Sequence, residues 1–390
     1  MTEINSSLYW SMPGPAEFIG RITDASRNAR AIILSFTDYP PNGVWHAVKT
    51  ALHNANINEP VELDISEGTN IPVEIGMHFS NGVMPAELLA HHKHGYQHAV
   101  ILKANGKKAQ KSCEKYAAAF VSAIDHSQGD VRLIVGVHDG ENQKDGFNRT
   151  FHVIAFDGAL SDAEIEAYVT QRMVTRGGPG STRLARHLVT EYAGFDPALA
   201  EQLISFDTSR ILALPESLTP LLGTNLLRWS KDSWLAGTRA EGMVEAHPLL
   251  EWHRATHTGN DQAAFQRAAD ARYWRACLKA LIPWLEERRS KILKILDTPL
   301  CRVEKAHGGT GKITKKKGDR MVGVPREELE YNDLAYFAST KEFSGLSNQE
   351  FAAVSVCKKA KFVRDDLAHL RRPPATSIES LIADMDRLVS

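Results

Sequence analysis

Four short runs in the first 160 residues are apolar almost without a break: AIILSF (31–36), HAVILKA (98–104), VRLIVGV (131–137) and FHVIAF (151–156). A strand covered on one face alternates apolar and polar residues, whereas a strand covered on both reads as continuous Val, Ile, Leu and Phe. The segments between the runs, among them GVWHAVKTALHNA and KKAQKSCEKYAAAFVSAI, carry their apolar residues at helical spacing instead. Buried strands that alternate with helices are joined by crossovers rather than hairpins. Residues 1–160 are therefore expected to form an α/β domain with a mostly parallel sheet.

Beyond residue 160 the strand signal fades. LSDAEIEAYVTQRM sets Ser161 three residues ahead of Glu164, a capping box, and FDPALAEQLISF opens on Asp196-Pro197, an N-cap followed by proline at the first helical position. Residues 161–260 read as a helical lid and connector, with RGGPGST (176–182) as a loop and 216–260 assigned only as mixed helix and loop. From 262 a long amphipathic helix is expected, kinked at Pro283. The Gly- and Lys-rich stretch EKAHGGTGKITKKKGDRMVGVP (304–325) reads as a mobile basic loop, with helices to follow around 326–338, 347–364 and 376–388. Residues 261–390 are thus expected to be all-α.

Hydrophobic residues make up 43% of the chain and charged residues 24%, a balance that argues against global disorder. No apolar run approaches the roughly 18 residues that cross a bilayer, and MTEINSSLYWSMPG lacks the basic-then-apolar pattern of a secretory leader. A cytoplasmic location is the expectation. Cys113, Cys277, Cys301 and Cys357 form no C-x-x-C pair, so neither a disulfide framework nor a zinc ribbon is suggested. The net charge of −1 conceals an asymmetry: 24 basic and 18 acidic residues over 261–390 leave 22 and 29 before them. A basic final third is the electrostatic footprint of a nucleic-acid partner.

The turn after the first strand is where a phosphate-binding loop would sit. It requires a Gly-rich cradle followed by Lys and Ser/Thr. Here Gly43 is followed by Val44 and Trp45, and Pro40-Pro41 remove two amides. The layout nonetheless resembles AAA-type P-loop ATPases over residues 20–215, with Asp139 where the acid of the second nucleotide motif would stand, a sensor-like strand at 151–156 and a helical lid. The resemblance implies a degenerate domain without ATP hydrolysis, and Asp139 alone reads as a turn residue of HDGEN rather than a metal ligand. HGGTGKIT (307–314) imitates a P-loop tail, but Ala306 and Ile313 break the pattern. HHKH (91–94) lacks a Cys or acidic partner at ligand spacing and reads as a solvated helix face. No metal and no other cofactor is expected.

The stretch KKAKFVRDDLAHLRRPP (358–374) holds Arg364 and His369 four residues apart, with Asp365 after the arginine and Leu367-Ala368 before the histidine. It resembles the HEPN superfamily, small helical domains marked by Arg, four to six residues and His. The resemblance covers about the last 120 residues and implies metal-independent endoribonuclease chemistry, dimerisation through the motif, and a bacterial anti-phage or toxin setting. A histidine near neutrality moves the proton between a ribose 2′-hydroxyl and a leaving 5′-oxygen. Arg364 would stabilise charge building on the phosphate, and Asp365 would orient either group. RNA phosphates would be met by Lys358, Lys359, Lys361, Arg371 and Arg372 with Lys315, Lys316 and Lys317. Five residues on a straight helix separate Arg364 and His369 by about 140°, so one phosphate reaches both only through a helix break or a second copy. A homodimer or larger assembly is the expectation. Two bland readings stay open: a solvated basic face, and an Arg–Asp pair with His369 capping a helix end, in a scaffold subunit without catalysis.

Overall fold

In a computed structural model, the described residues are 5–36, 43–57, 60–79, 82–93, 98–124, 126, 128–138, 151–156, 158–173, 179–222, 237–238, 244–245, 247–257, 261–317 and 320–389. They divide into two compact units, one comprising 1–164, 195–198 and 232–244 and the other the remainder. The segment expected as lid and connector is shared between them, and helices within 165–222 cluster with those of the last third.

The first unit carries helices α1 (Ser6–Trp10) and α2 (Pro13–Asn28) and strand β1 (Ala31–Phe36), then α3 (Val44–Asn54) and β2 (Val61–Ile65). There follow α4 (Ile71–Phe79), α5 (Ala86–His91), β3 (Ala99–Ala104), α6 (Lys107–Ile124), β4 (Arg132–His138) and β5 (His152–Phe156). The five strands form one sheet in the order β2-β3-β4-β1-β5, and every pairing is parallel. The α/β expectation holds, and its physical basis is visible in the alternation of the strands. Ile32, Leu34 and Phe36 of β1 pack with Phe18, Ile22, Val48 and Leu52 of α2 and α3. Ala31 and Ile33 share the opposite layer with Tyr116 and Phe120 of α6 and Leu89 of α5. Sequence reading missed β2, whose VELDI alternates charge with apolar residues because it lies at the sheet edge.

The capping box at α7 (Asp162–Arg172) forms: the Ser161 backbone N–H donates to Glu164 Oε2 at 2.8 Å, and Ser161 Oγ accepts from the Glu164 N–H at 3.4 Å. Glu164 also accepts from the Gly14 N–H at 2.5 Å. Burial alone would raise its pKa, but the Ser161 hydroxyl and the Gly14 and Ser161 amides outweigh it and hold the carboxyl below its ordinary value.

The second unit is mostly helical. Its elements include α8 (Pro179–Ala193), α9 (Pro197–Ile204), α10 (Thr208–Leu212), short strands β6 (Gly237–Thr238) and β7 (Val244–Glu245), and α11 (Pro248–Thr256), with the first residues of α9 and all but the last of β6 and β7 counted with the first unit. The long α12 (Gln262–Ile295) continues through Pro283, and α8, α11 and α15 (Asn348–Ala368) pack against it. Around these lie α13 (Asp297–Ala306), α14 (Tyr331–Phe337) and α16 (Ala375–Val389). Buried Arg272 of α12 chelates Glu251 of α11 at 2.6 and 3.1 Å and donates to the Glu191 carbonyl at 2.9 Å. Breaking such a pair leaves an unpaired buried charge.

One expectation is overturned here. Residues 304–325 are not a mobile loop: α13 runs to Ala306, and β8 (Lys312–Lys317) pairs antiparallel with β9 (Arg320–Pro325). Gly318-Asp319 separate the strands in sequence, a dipeptide that favours a two-residue hairpin link. Lysine richness concealed the signal.

Candidate functional site

In a doubly wound sheet, ligands bind outside the carboxyl ends of the strands where the strand order reverses. Here that point lies at β1, since the chain leaves β1 toward β2 on one side and ends with β5 on the other. Trp45 lies in the first turn of α3. Its ring lies so close to β4 that a Cβ on Gly136 would stand 2.4 Å from Cη2. The ring meets Phe36 of β1 edge-on at 5.9 Å, and Lys103 Nζ of β3 lies 6.0 Å from its centroid. Lys103 is held by Glu62 and Asp64 of β2, at 3.2 Å each, and Glu62 also binds Lys49. An indole and an ion-pair group thus lie together against this part of the sheet. Pro40, Pro41 and Asp139 lie outside the described residues.

The second site begins with α15. Ser347 and Glu350 cap its start reciprocally, and the helix runs four residues further than the sequence suggested, to Ala368. The His369 backbone N–H still donates to the Asp365 carbonyl at 3.1 Å. Beyond it the Leu370 N–H bonds to the Leu367 carbonyl at 3.3 Å and the Arg371 N–H to the Asp366 carbonyl at 2.9 Å. These are the two bonds of a Schellman ending, whose left-handed position is filled by Leu370 at φ 57° rather than by glycine. The helix break therefore falls after His369, and helical geometry keeps Arg364 and His369 about 140° apart.

Their surroundings differ accordingly. Arg364 is partly exposed, with Nη2 3.3 Å from Glu330 and Nη1 4.0 Å from Glu286. Asp365 binds Lys361 at 2.7 Å, one turn back. Its neighbour Asp366 is the buried carboxylate, 2.9 Å from Arg371. Trp274 of α12 anchors the same turn by donating to the Leu367 carbonyl at 2.8 Å. His369 is exposed, and no described residue bonds its ring. Sequence reasoning missed Glu330 and Glu286, because the contacts join positions 34 and 78 residues from Arg364.

Most of the expected phosphate contacts are already ion-paired. Lys315 binds Asp333 at 2.6 Å, Lys359 binds Asp384 at 2.5 Å, and Lys361 and Arg371 are held as described. Arg372 chelates Glu216 at 2.8 and 2.9 Å and donates to the Leu214 carbonyl at 2.7 Å. Burial works against its charge, the Glu216 pairing more than offsets this, and its pKa stands above the ordinary value. Lys316 and Lys317 lie in β8, with side chains outside the described set. Lys358 is exposed and makes no ion pair among the described residues. His91 ends α5 and His92 packs edge-on to Phe79 at 5.1 Å; no group of three metal-ligating side chains is found among the described residues, and none of the described helices is long and apolar enough to cross a membrane.

The fold and these two regions define an α/β unit with a parallel sheet and a mostly helical unit carrying an Arg-x4-His turn. No family model matches the chain, and no curated protein matches it. Among solved structures, a Trip13 from Rhizobiales matches over 58% of this chain and 81% of its own, at 17% identity and a TM-score of 0.28. A DNA polymerase III gamma subunit-related protein from Thermotoga maritima matches over 95% of this chain and 99% of its own, at 11% identity and a TM-score of 0.24.

Proposed function

We propose that the C-terminal helical domain is a metal-independent endoribonuclease of the HEPN kind, whose reactive cleft is completed by a second copy of the chain. The observation that carries this reading is the unbroken helical register from Arg364 to His369, which keeps the two groups on different sides of α15. His369 is exposed and without a described partner, as a proton-transfer group must be before substrate arrives. Arg364 is held only by partly exposed carboxylates at 3.3 and 4.0 Å, pairs worth about 0–1 kcal/mol that a phosphate can displace. Asp365 would position Lys361 or the substrate. The setting suggested by the motif is bacterial anti-phage defence, with the α/β unit as regulator.

The test is subunit complementation. His369→Ala and Arg364→Ala should each abolish RNA cleavage while remaining folded. Mixed in equal amounts, they should recover about a quarter of wild-type activity, because half the dimers hold one intact composite site. Cleavage that persists in folded His369→Ala protein refutes the catalytic role.

A second reading, a scaffold subunit that uses the bundle only for assembly, is favoured by the Asp366–Arg371 pair and the Trp274 bond that knit the motif turn into the bundle. It predicts that His369→Ala changes no measurable property of the assembly.

A further inference from the structure

The hairpin β8–β9, the end of α13, and helices α14 and α15 enclose a cleft of about 660 Å³. Its lining joins apolar, cationic and acidic groups, the last being Asp333, paired with Lys315, and Glu342. Tyr336 and Met321 line it although they are 68% and 67% exposed, so their apolar surface is presented to the cleft's opening rather than used in the core. His307, Lys358 and Lys361 add cationic and donor groups. His307 Nδ1 accepts from the Thr314 N–H at 3.1 Å, which leaves Nε2 as the protonated nitrogen of the neutral ring.

Two further observations give the cleft a direction. Lys358, which makes no ion pair among the described residues, also lines a second groove, between α15 and α16, together with half-exposed Phe362. At about 100° per residue, Lys358, Lys361, Phe362, Asp365 and His369 fall within one arc of about 100° on α15. This face of the helix therefore carries two lysines, one aromatic ring and Asp365, which pairs with Lys361, and it ends on the histidine of the motif.

The geometry points to a binding track for single-stranded RNA: one base enters the cleft against Tyr336 and Met321, the adjoining phosphate meets Lys358 and Lys361, and the strand continues past Phe362 toward His369. Single strands suit it because splayed bases stack on aromatic rings while lysines follow the backbone, without sequence readout. Bases held in a duplex do not offer their faces to such side chains. The inference rests on the proposal that this domain acts on RNA, but it involves residues outside the Arg-x4-His motif.

The experiment measures the anisotropy of a fluorescein-labelled 12-nucleotide oligouridylate with the full chain, at two salt concentrations, with a thermal melt of each variant as control. Tyr336→Ala and Lys358→Ala should each weaken binding about ten-fold and leave the melting temperature unchanged, since both side chains are exposed. Tyr336→Phe should bind as wild type does, and a 12-base-pair duplex should bind at least ten-fold more weakly than the single strand. Affinity within two-fold of wild type in the Tyr336→Ala, Lys358→Ala double variant overturns the track, as does equal affinity for the duplex or no binding by the wild type. The ribonuclease reading fails separately: oligonucleotide that binds through Tyr336 and Lys358 yet is never cleaved removes the chemistry and leaves the track standing.

Discussion

Replacing Arg372 with alanine separates a bundle strut from a phosphate contact. Its guanidinium chelates Glu216, donates to the Leu214 carbonyl, reaches Asp270 at 3.4 Å and lies 4.5 Å from the Tyr273 ring. Glu216 is 56% exposed and regains water when the arginine is gone, so the chelate contributes only about 1 kcal/mol. Leu214 is fully buried, and a carbonyl left unpaired there costs about 1–2 kcal/mol. Loss of the ring contact adds about 1 kcal/mol. The total of about 3–4 kcal/mol corresponds to a melting temperature about 10 °C lower for a unit of this size. Arg372→Lys keeps the charge, loses the fork and should recover less than half of this. Thermal and urea unfolding followed by circular dichroism at 222 nm read the effect. An unchanged midpoint in Arg372→Ala, combined with weaker RNA binding, would refute the structural assignment and return this residue to the phosphate contacts.

Three other outcomes follow from local geometry. Leu370→Gly should stabilise the helical unit by up to about 1 kcal/mol, because relief of left-handed strain of about 1–2 kcal/mol exceeds the added unfolded-state entropy; a lower melting temperature would show that the 73% exposed leucine has a contact that matters. Gly136→Ala should cost about 1–3 kcal/mol by forcing Trp45 off the sheet, with a red shift of tryptophan emission, and Trp45→Ala in the same background should relieve it. Glu164→Gln should cost about 1 kcal/mol at neutral pH through the weakened cap and Gly14 contact. Because the folded carboxyl titrates below its unfolded value, that difference is complete above the unfolded pKa and disappears as pH falls through the folded one; a difference that grows in acid contradicts it.

Much of the α/β unit was legible because burial on both faces writes itself into the sequence. AIILSF has no polar face to hide, and β1, β3, β4 and β5 lie where their apolar runs predicted. β2 was not legible, since Glu62 and Asp64 are edge-strand residues whose partners Lys49 and Lys103 stand 13 and 39 residues away from them. The hairpin was hidden by composition, for four lysines in KITKKK read as solvated chain until the β9 register, Lys312 opposite Pro325 through Lys317 opposite Arg320, pairs them. The end of α15 was misplaced for a related reason. Arg364-Asp365-Asp366 looks like a polar exit from a helix, whereas Asp366 is buried, Arg371 reaches back to it, and the turn closes only at Leu370.

That displacement of the helix end by four residues changes what the motif can be. Had α15 stopped at Arg364, the following residues could have folded back and set His369 beside the guanidinium of the same chain. With the helical bond from His369 to Asp365 intact, such an approach would require breaking at least that bond and the two Schellman bonds, at about 0.5–1.5 kcal/mol each, and giving up the Trp274 anchor. A second copy would remove the conflict without disturbing the bundle, since His369 is already exposed and Arg364 is paired with partly exposed carboxylates. The measurable consequence is a dependence of specific activity on protein concentration. Cleavage whose specific rate is constant far below the dimer dissociation constant would mean that one chain suffices, and the helical register of Arg364 and His369 would then have to be different in solution.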